Sequence, residues 1–223
     1  QTMSKMLITF NDLTEDNRVY AGGKGGTLSH LYQAGYPVPD GFVIMPAAFD
    51  DDTLRGEAGA ESHWQVSMMR RKNGSTSFAV RSSAIAEDSA YASFAGEFET
   101  VLDVRTDDAI RAAVKQVHQS RKAERVRAYS KAKGMDEEQE IAIVIQELVR
   151  ADISGILFTA DPVTGSGFNM SGNYIFGLGE DLVSGEAEPF TFTLRRPKGA
   201  YEGPQDMKRY AKRLFKLAWQ LEI

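Results

Sequence analysis

The run Glu140-Ile-Ala-Ile-Val-Ile-Gln-Glu-Leu-Val149, followed after Arg150 by Ala151-Asp-Ile-Ser-Gly-Ile-Leu-Phe-Thr159, decides the class of fold. Both halves are rich in aliphatic and β-branched residues, which suit a half-buried pleated surface. Too few residues separate them for a crossover helix, so a tight antiparallel hairpin is the expected arrangement. Outward from this pair, further strands are expected at Met6–Phe10, before Ile44, at Phe78–Ser83 running into a polar turn, at Phe98–Val104, at Asn173–Leu178 and at Pro189–Leu194. Helical spacing marks Leu28–Ala34, a long stretch from Asp107 to about Gly134, and Met207–Leu221. Between Pro46 and Ser77 the pattern is weak. Asp50-Asp-Asp52 suits a helix cap, Gly56-Glu-Ala-Gly59 is poor helix material, and His63–Arg71 suits a short helix. The regular strand–helix alternation of a doubly wound dinucleotide fold is missing. The expected class is α+β.

Composition narrows the chemistry. Of 223 residues, 42% are hydrophobic, enough for a sizeable core. Acidic residues number 31 and basic ones 26, a net charge of -5 that disfavours a broad nucleic-acid surface. Cysteine is absent, which excludes disulfides, thiolate metal sites and cysteine nucleophiles. The three histidines, His30, His63 and His118, are scattered. No apolar run reaches bilayer length, and Gln1–Phe10 lacks the apolar core of a signal peptide. A cytoplasmic protein without a membrane or nucleic-acid partner is the expectation.

Five segments are able to carry chemistry, and each has a plainer reading. Gly22-Gly-Lys-Gly-Gly26 precedes a helix and sets a mobile cation among residues that let backbone approach an anion. A structural turn explains the glycines equally well. Arg81, at a strand end, suits a bidentate phosphate contact, or an ion pair with Glu87 or Asp88. Ser93-Phe-Ala-Gly96 suits a backbone clamp over phosphates, or a hairpin turn. Gln146, Glu147, Leu148 and Val149 end an apolar strand that suits one side of a purine, and a core strand fits as well. Glu180 is the preferred magnesium ligand in an acidic, glycine-flanked loop whose other acids, Asp181, Glu186 and Glu188, fit plain solvation. Charge neutralisation, positioning and a metal are the parts phosphoryl transfer needs.

These segments occur in a family order. Tyr20-Ala-Gly-Gly-Lys-Gly-Gly-Thr-Leu28, Val38-Pro-Asp-Gly-Phe42, Phe78-Ala-Val-Arg-Ser-Ser-Ala84, Ser93-Phe-Ala-Gly-Glu97 with Glu99-Thr100, Gly155-Ile-Leu-Phe-Thr159 with Asp161-Pro-Val-Thr-Gly165, and Gly177-Leu-Gly-Glu-Asp-Leu-Val-Ser-Gly185 run through nearly the whole chain. The chain resembles the N-terminal ATP-binding domain of phosphoenolpyruvate synthase and pyruvate phosphate dikinase, a domain shared by rifampicin phosphotransferase. The resemblance implies an ATP-grasp-like fold with a small N-terminal lobe, about residues 1–95, and a larger second lobe, about 96–223.

The resemblance also implies roles. Lys24 and Arg81 hold phosphates and are the catalytic pair. Ser93, Phe94, Ala95 and Gly96 cover the phosphates. Gln146 to Val149 line the adenine pocket, and Glu180 binds Mg2+. A histidine on a separate swivelling domain accepts the phosphoryl group and carries it to pyruvate or another acceptor. The carrier segment Gly-Gly-xx-Ser-His-Ala is not found here, Pro189-Phe190 replaces the usual Pro-Asp or Pro-Gln, and Gln205-Asp206 only faintly matches the usual Asp-Ile-Glu-Trp. The expectation is an ATP-binding module that needs other domains, with a reduced, non-catalytic nucleotide-binding or scaffold domain as the alternative.

Overall fold

The computed structural model describes residues 5–85, 99–132 and 140–222. The chain forms two compact units, Gln1–Val149 and Arg150–Ile223. Mixed helices and antiparallel sheets make both, in line with the α+β expectation. The boundary is not at residue 95. Strands on either side of that position pair in one sheet, so the first unit runs on to Val149 and is the longer of the two. Among the described residues, no helix is long and apolar enough to cross a membrane.

In the first unit, β1 (Leu7–Thr9), β2 (Gly41–Ile44), β5 (Phe78–Ala84), β6 (Thr100–Val104) and β7 (Ile141–Glu147) form an antiparallel sheet in the order β1-β2-β7-β5-β6. The central β7 pairs with β2 and β5, setting Val144 opposite Val43 and Arg81. Alternation then sorts the strands by face. Phe78, Val80, Ile143 and Ile145 join Phe42 and Ile44 in a core closed by α2 (Gly56–Asn73) and α3 (Asp107–Gln119). Each such side chain contributes roughly 1.5–3 kcal/mol by leaving water. Ala142, Val144 and Val43 point to the other face, where a smaller core forms with Ile8, Phe10, Leu13 and Ala21.

The helices show why weak propensity does not decide local structure. α2 begins at Gly56 and runs through Gly59, although both disfavour helix. Burial of Ala58, Ser62, Val66 and Met69 along one side outweighs that cost. The left-handed Gly74 closes it by donating to the Arg70 carbonyl, and Arg70, Arg71 and Lys72 complement the negative end. The aspartates at 50–52 do not cap this helix. They lie around the two-stranded hairpin of β3 (Phe49–Asp50) and β4 (Thr53–Leu54). α3 starts as expected, with the Thr106 hydroxyl accepting from the Ala109 N–H at 3.2 Å. The helical stretch after Asp107 breaks at a 3₁₀ turn, Ser120–Lys122, before α4 (Glu124–Ala132).

The second unit holds β8 (Ile153–Phe158), β9 (Asn169–Phe176), α5 (Glu180–Ser184), β10 (Phe190–Arg195), β11 (Ala200–Glu202) and α6 (Gln205–Leu221). Its sheet runs β11-β10-β9-β8, antiparallel throughout. Met170, Tyr174, Phe192 and Leu194 pack against Met207, Ala211 and Ala218 of α6. The expected hairpin between residues 140–149 and 151–159 does not form. β7 is already flanked by β2 and β5, while β8 pairs with β9.

Candidate functional site

The glycine segment sits within α1 (Glu15–Gln33), not ahead of a helix that begins at Leu28. Gly22 interrupts α1 with φ 69° and ψ 172°, so a second helical segment starts at Gly23. Lys24 therefore occupies the first turn of that segment. The break is dictated by close approach to β5: a Cβ on Gly22 would lie 2.4 Å from the Ser83 carbonyl oxygen. Only glycine combines that approach with the left-handed backbone. Gly22 thus has a structural reason to be glycine, and that coexists with the placement of Lys24.

Ser83 ties the two elements together. Its hydroxyl donates to the Ala21 carbonyl at 2.7 Å and accepts from the Gly25 N–H at 2.9 Å. The residue is fully buried. The strand expected over Phe78–Ser83 extends one residue further, to Ala84. Alternation places Ala79, Arg81 and Ser83 on one face of β5. Since Ser83 contacts α1, Arg81 is two residues away along the strand on the α1 side. The structure therefore brings the elements that carry Lys24 and Arg81 together on one face of the sheet. Sequence reasoning missed Ser83. The available signal was a pair of small hydroxyl residues directly after Arg81, where a strand pattern had no other reason to stay polar.

The Gln146–Val149 segment is only partly open. Gln146 is buried, and its amide donates to the Pro39 carbonyl at 3.0 Å. The Glu147 N–H donates to the Asp40 carbonyl at 2.9 Å, and the Leu148 N–H donates to the Ser77 carbonyl at 3.0 Å. The Glu147 carboxylate accepts from the Asn73 amide at 2.6 Å and from the Ser75 hydroxyl. These side chains hold the strand end in place. Val149, 56% exposed, is the part of the segment turned to solvent. Nearby, burial and the Asp40 carboxylate push the Tyr32 phenol pKa up.

Glu180 lies in the second unit as the first residue of the five-residue α5, and it is exposed. Among the described residues, no group of three or more His, Asp or Glu side chains is arranged to hold a metal ion. A lone carboxylate would suit magnesium only where substrate phosphates and water complete the shell. Ser93, Phe94, Ala95 and Gly96 lie outside the described residues. A cavity of about 610 Å³ lies on the opposite side of the first unit, bordered by Phe49, Leu54, His63, Arg111 and Lys115. None of the expected site residues borders it.

The chemistry of this donor set fits a nucleotide. Lys24 opens a helical segment and Arg81 shares its face of the sheet, two cations suited to phosphate oxygens. Comparison with known proteins points the same way. The family model for the pyruvate phosphate dikinase AMP/ATP-binding domain matches residues 60–214. The prodigiosin synthesizing transferase PigC of Serratia marcescens is 34% identical over 200 residues, covering 80% of this chain and 22% of its own length. Rifampicin phosphotransferase of Bacillus cereus is 32% identical over 221 residues, covering 82% of this chain and 26% of its own. A probable phosphoenolpyruvate synthase of Methanothermobacter thermautotrophicus is 30% identical over 240 residues, covering 88% and 35%. The chain spans between about a fifth and about a third of the length of these relatives.

Proposed function

This chain belongs to the pyruvate phosphate dikinase AMP/ATP-binding domain family, and on that premise we propose that it binds Mg-ATP as the nucleotide module of a phosphoenolpyruvate synthase-like phosphotransferase. The observation that carries the reading is the Ser83 bridge, which joins the turn bearing Lys24 to the strand bearing Arg81. In this reading Lys24 and Arg81 orient the phosphates and offset their charge. Ser93 to Gly96 cover the phosphates, the Gln146–Val149 segment borders the purine, and the Glu180 carboxylate contributes to holding magnesium. Magnesium supplies further charge neutralisation at the phosphate oxygens.

The phosphoryl group then passes to a histidine on a separate domain, in cis or in trans, with a P–O bond of the nucleotide breaking as an N–P bond forms. That domain delivers it to pyruvate or another small acceptor in the cytoplasm. The names of the phosphoenolpyruvate synthase and rifampicin phosphotransferase relatives support this class of reaction. Calorimetric titration of the folded chain with Mg-ATP tests the reading. Saturable heat at or below millimolar nucleotide is expected, and none at that concentration would remove the catalytic version. Arg81→Ala should weaken ATP by at least about tenfold while adenosine binding changes little, the value of one charge-assisted contact. Equal losses for both would make Arg81 a packing residue.

A further inference from the structure

Ser83 commits its hydroxyl to two bonds within the protein on the α1 face, and nothing above requires it to touch a ligand. Its hydroxyl spans the break in α1, donating to Ala21 on one side of Gly22 and accepting from Gly25 on the other. Both contacts are buried. The Gly25 N–H belongs to the first turn of the second helical segment, the part of a helix whose backbone donors call for partners from outside it. Ser83 supplies that partner from a strand 58 residues further along the chain. The fit is close on every side. A Cβ on Gly22 would lie 2.5 Å from the Ser83 hydroxyl oxygen, and one on Gly25 would lie 3.1 Å from Val43 Cγ2. The backbone on either side of Lys24 is therefore fixed by one hydroxyl.

We propose that Ser83 is a positioning residue for nucleotide phosphates: it locks the Gly22 break so that Lys24 is held ready beside the strand that carries Arg81. The proposal rests on the nucleotide reading above and assigns Ser83 a role through Lys24, without contact to the nucleotide. Its two hydrogen bonds hold the first turn of the second helical segment against β5 without any ligand. Preorganisation of this kind is expressed as affinity for the part of the ligand that meets the organised group.

Two measurements on the full chain test it separately. The first needs no nucleotide. Amide hydrogen exchange of Gly25 should accelerate at least about tenfold in Ser83→Ala, because the amide loses its acceptor. Unchanged protection over Gly23–Gly26 would overturn the lock. The second is a calorimetric comparison of Mg-ATP and adenosine. Ser83→Ala should weaken Mg-ATP about tenfold and leave adenosine within about twofold.

The loss should be non-additive with Lys24→Ala, so that Ser83→Ala costs little once Lys24 is gone. A purely structural serine would weaken both ligands alike, or add its full loss to that of Lys24→Ala, and either result overturns the positioning role. Ser83→Cys, close in size with a weaker donor and acceptor, gives the same pattern at smaller amplitude if the alanine variant does not fold. Failure of the unsubstituted chain to bind Mg-ATP would instead overturn the nucleotide reading, with the exchange result still reporting on the lock.

Discussion

The two faces of the five-stranded sheet are built from the same strands and yet do opposite work. On the α2/α3 side, Phe78, Val80, Ile143 and Ile145 pack in the larger of the first unit's two apolar clusters. On the α1 side, Arg81, Ser83 and Gln146 alternate with small aliphatic residues beneath a glycine-rich helix. The first face stores stability. The second holds a smaller apolar cluster and brings the α1 backbone against the Ser83 hydroxyl. That difference places the candidate chemistry on the face with the smaller of the first unit's two cores.

Substitutions on the two faces should therefore separate stability from binding. Ile143→Ala, in the centre of the packed face, should cost about 3–4 kcal/mol of unfolding free energy in urea titration, the sum of lost transfer and a cavity. A loss below about 1 kcal/mol would show that this face is not the main core.

Gly22→Ala should cost about 2 kcal/mol, because it adds a Cβ against Ser83 at a positive φ. Its unfolding midpoint should fall further than that of Gly35→Ala, whose Cβ meets nothing within 4 Å at a comparable φ of +80°. Equal losses would assign the whole cost to backbone conformation and none to the contact with Ser83.

The packed face should also resist charge. His118 is buried in α3 with its ring stacked on Phe49 at 3.7 Å. Burial, reinforced by Arg121, lowers its pKa to about 4, against a weaker raising effect from Asp52. The unfolded chain then binds a proton at higher pH than the folded one. Stability from this group is full above about pH 6.5 and declines as pH falls toward 4. His118→Gln should flatten the pH dependence of the unfolding midpoint in that window. An unchanged slope would assign the dependence to other groups.

The smallest effect on stability is expected on the α1 side. Lys24→Ala, a half-buried position, should change unfolding free energy by no more than about 0.5 kcal/mol, the range of ordinary surface substitutions. It should weaken Mg-ATP clearly more than adenosine in calorimetry. A large stability loss together with equal ligand losses would erase the distinction between the two faces.

The sequence shows the strands and the amphipathic α6 because their apolar residues repeat at two and 3.6 residues. It marks Lys24 and Arg81 as cations beside small residues, and the structure sets their elements on one face. Two local signals mislead. Gly56 and Gly59 argue against α2, but the buried stripe from Ala58 to Met69 overrides their propensity. The adjacency of the two β-branched runs argues for a hairpin, but β7 finds its partners in β2 and β5, more than fifty residues upstream. Neither of those partners is visible to a local pattern.

The sequence by itself determined the α+β class, the family and the residue types available for phosphate. These follow from periodicity and from the order of short motifs, which are properties of neighbours along the chain. Tertiary structure alone decided that the chain divides at Val149/Arg150, that Gly22 breaks α1, and that one hydroxyl closes the break. The physical reason is distance along the chain. Ser83 meets Ala21 and Gly25 across about sixty residues, and only the packing of α1 on β5 gives that hydroxyl both of its partners.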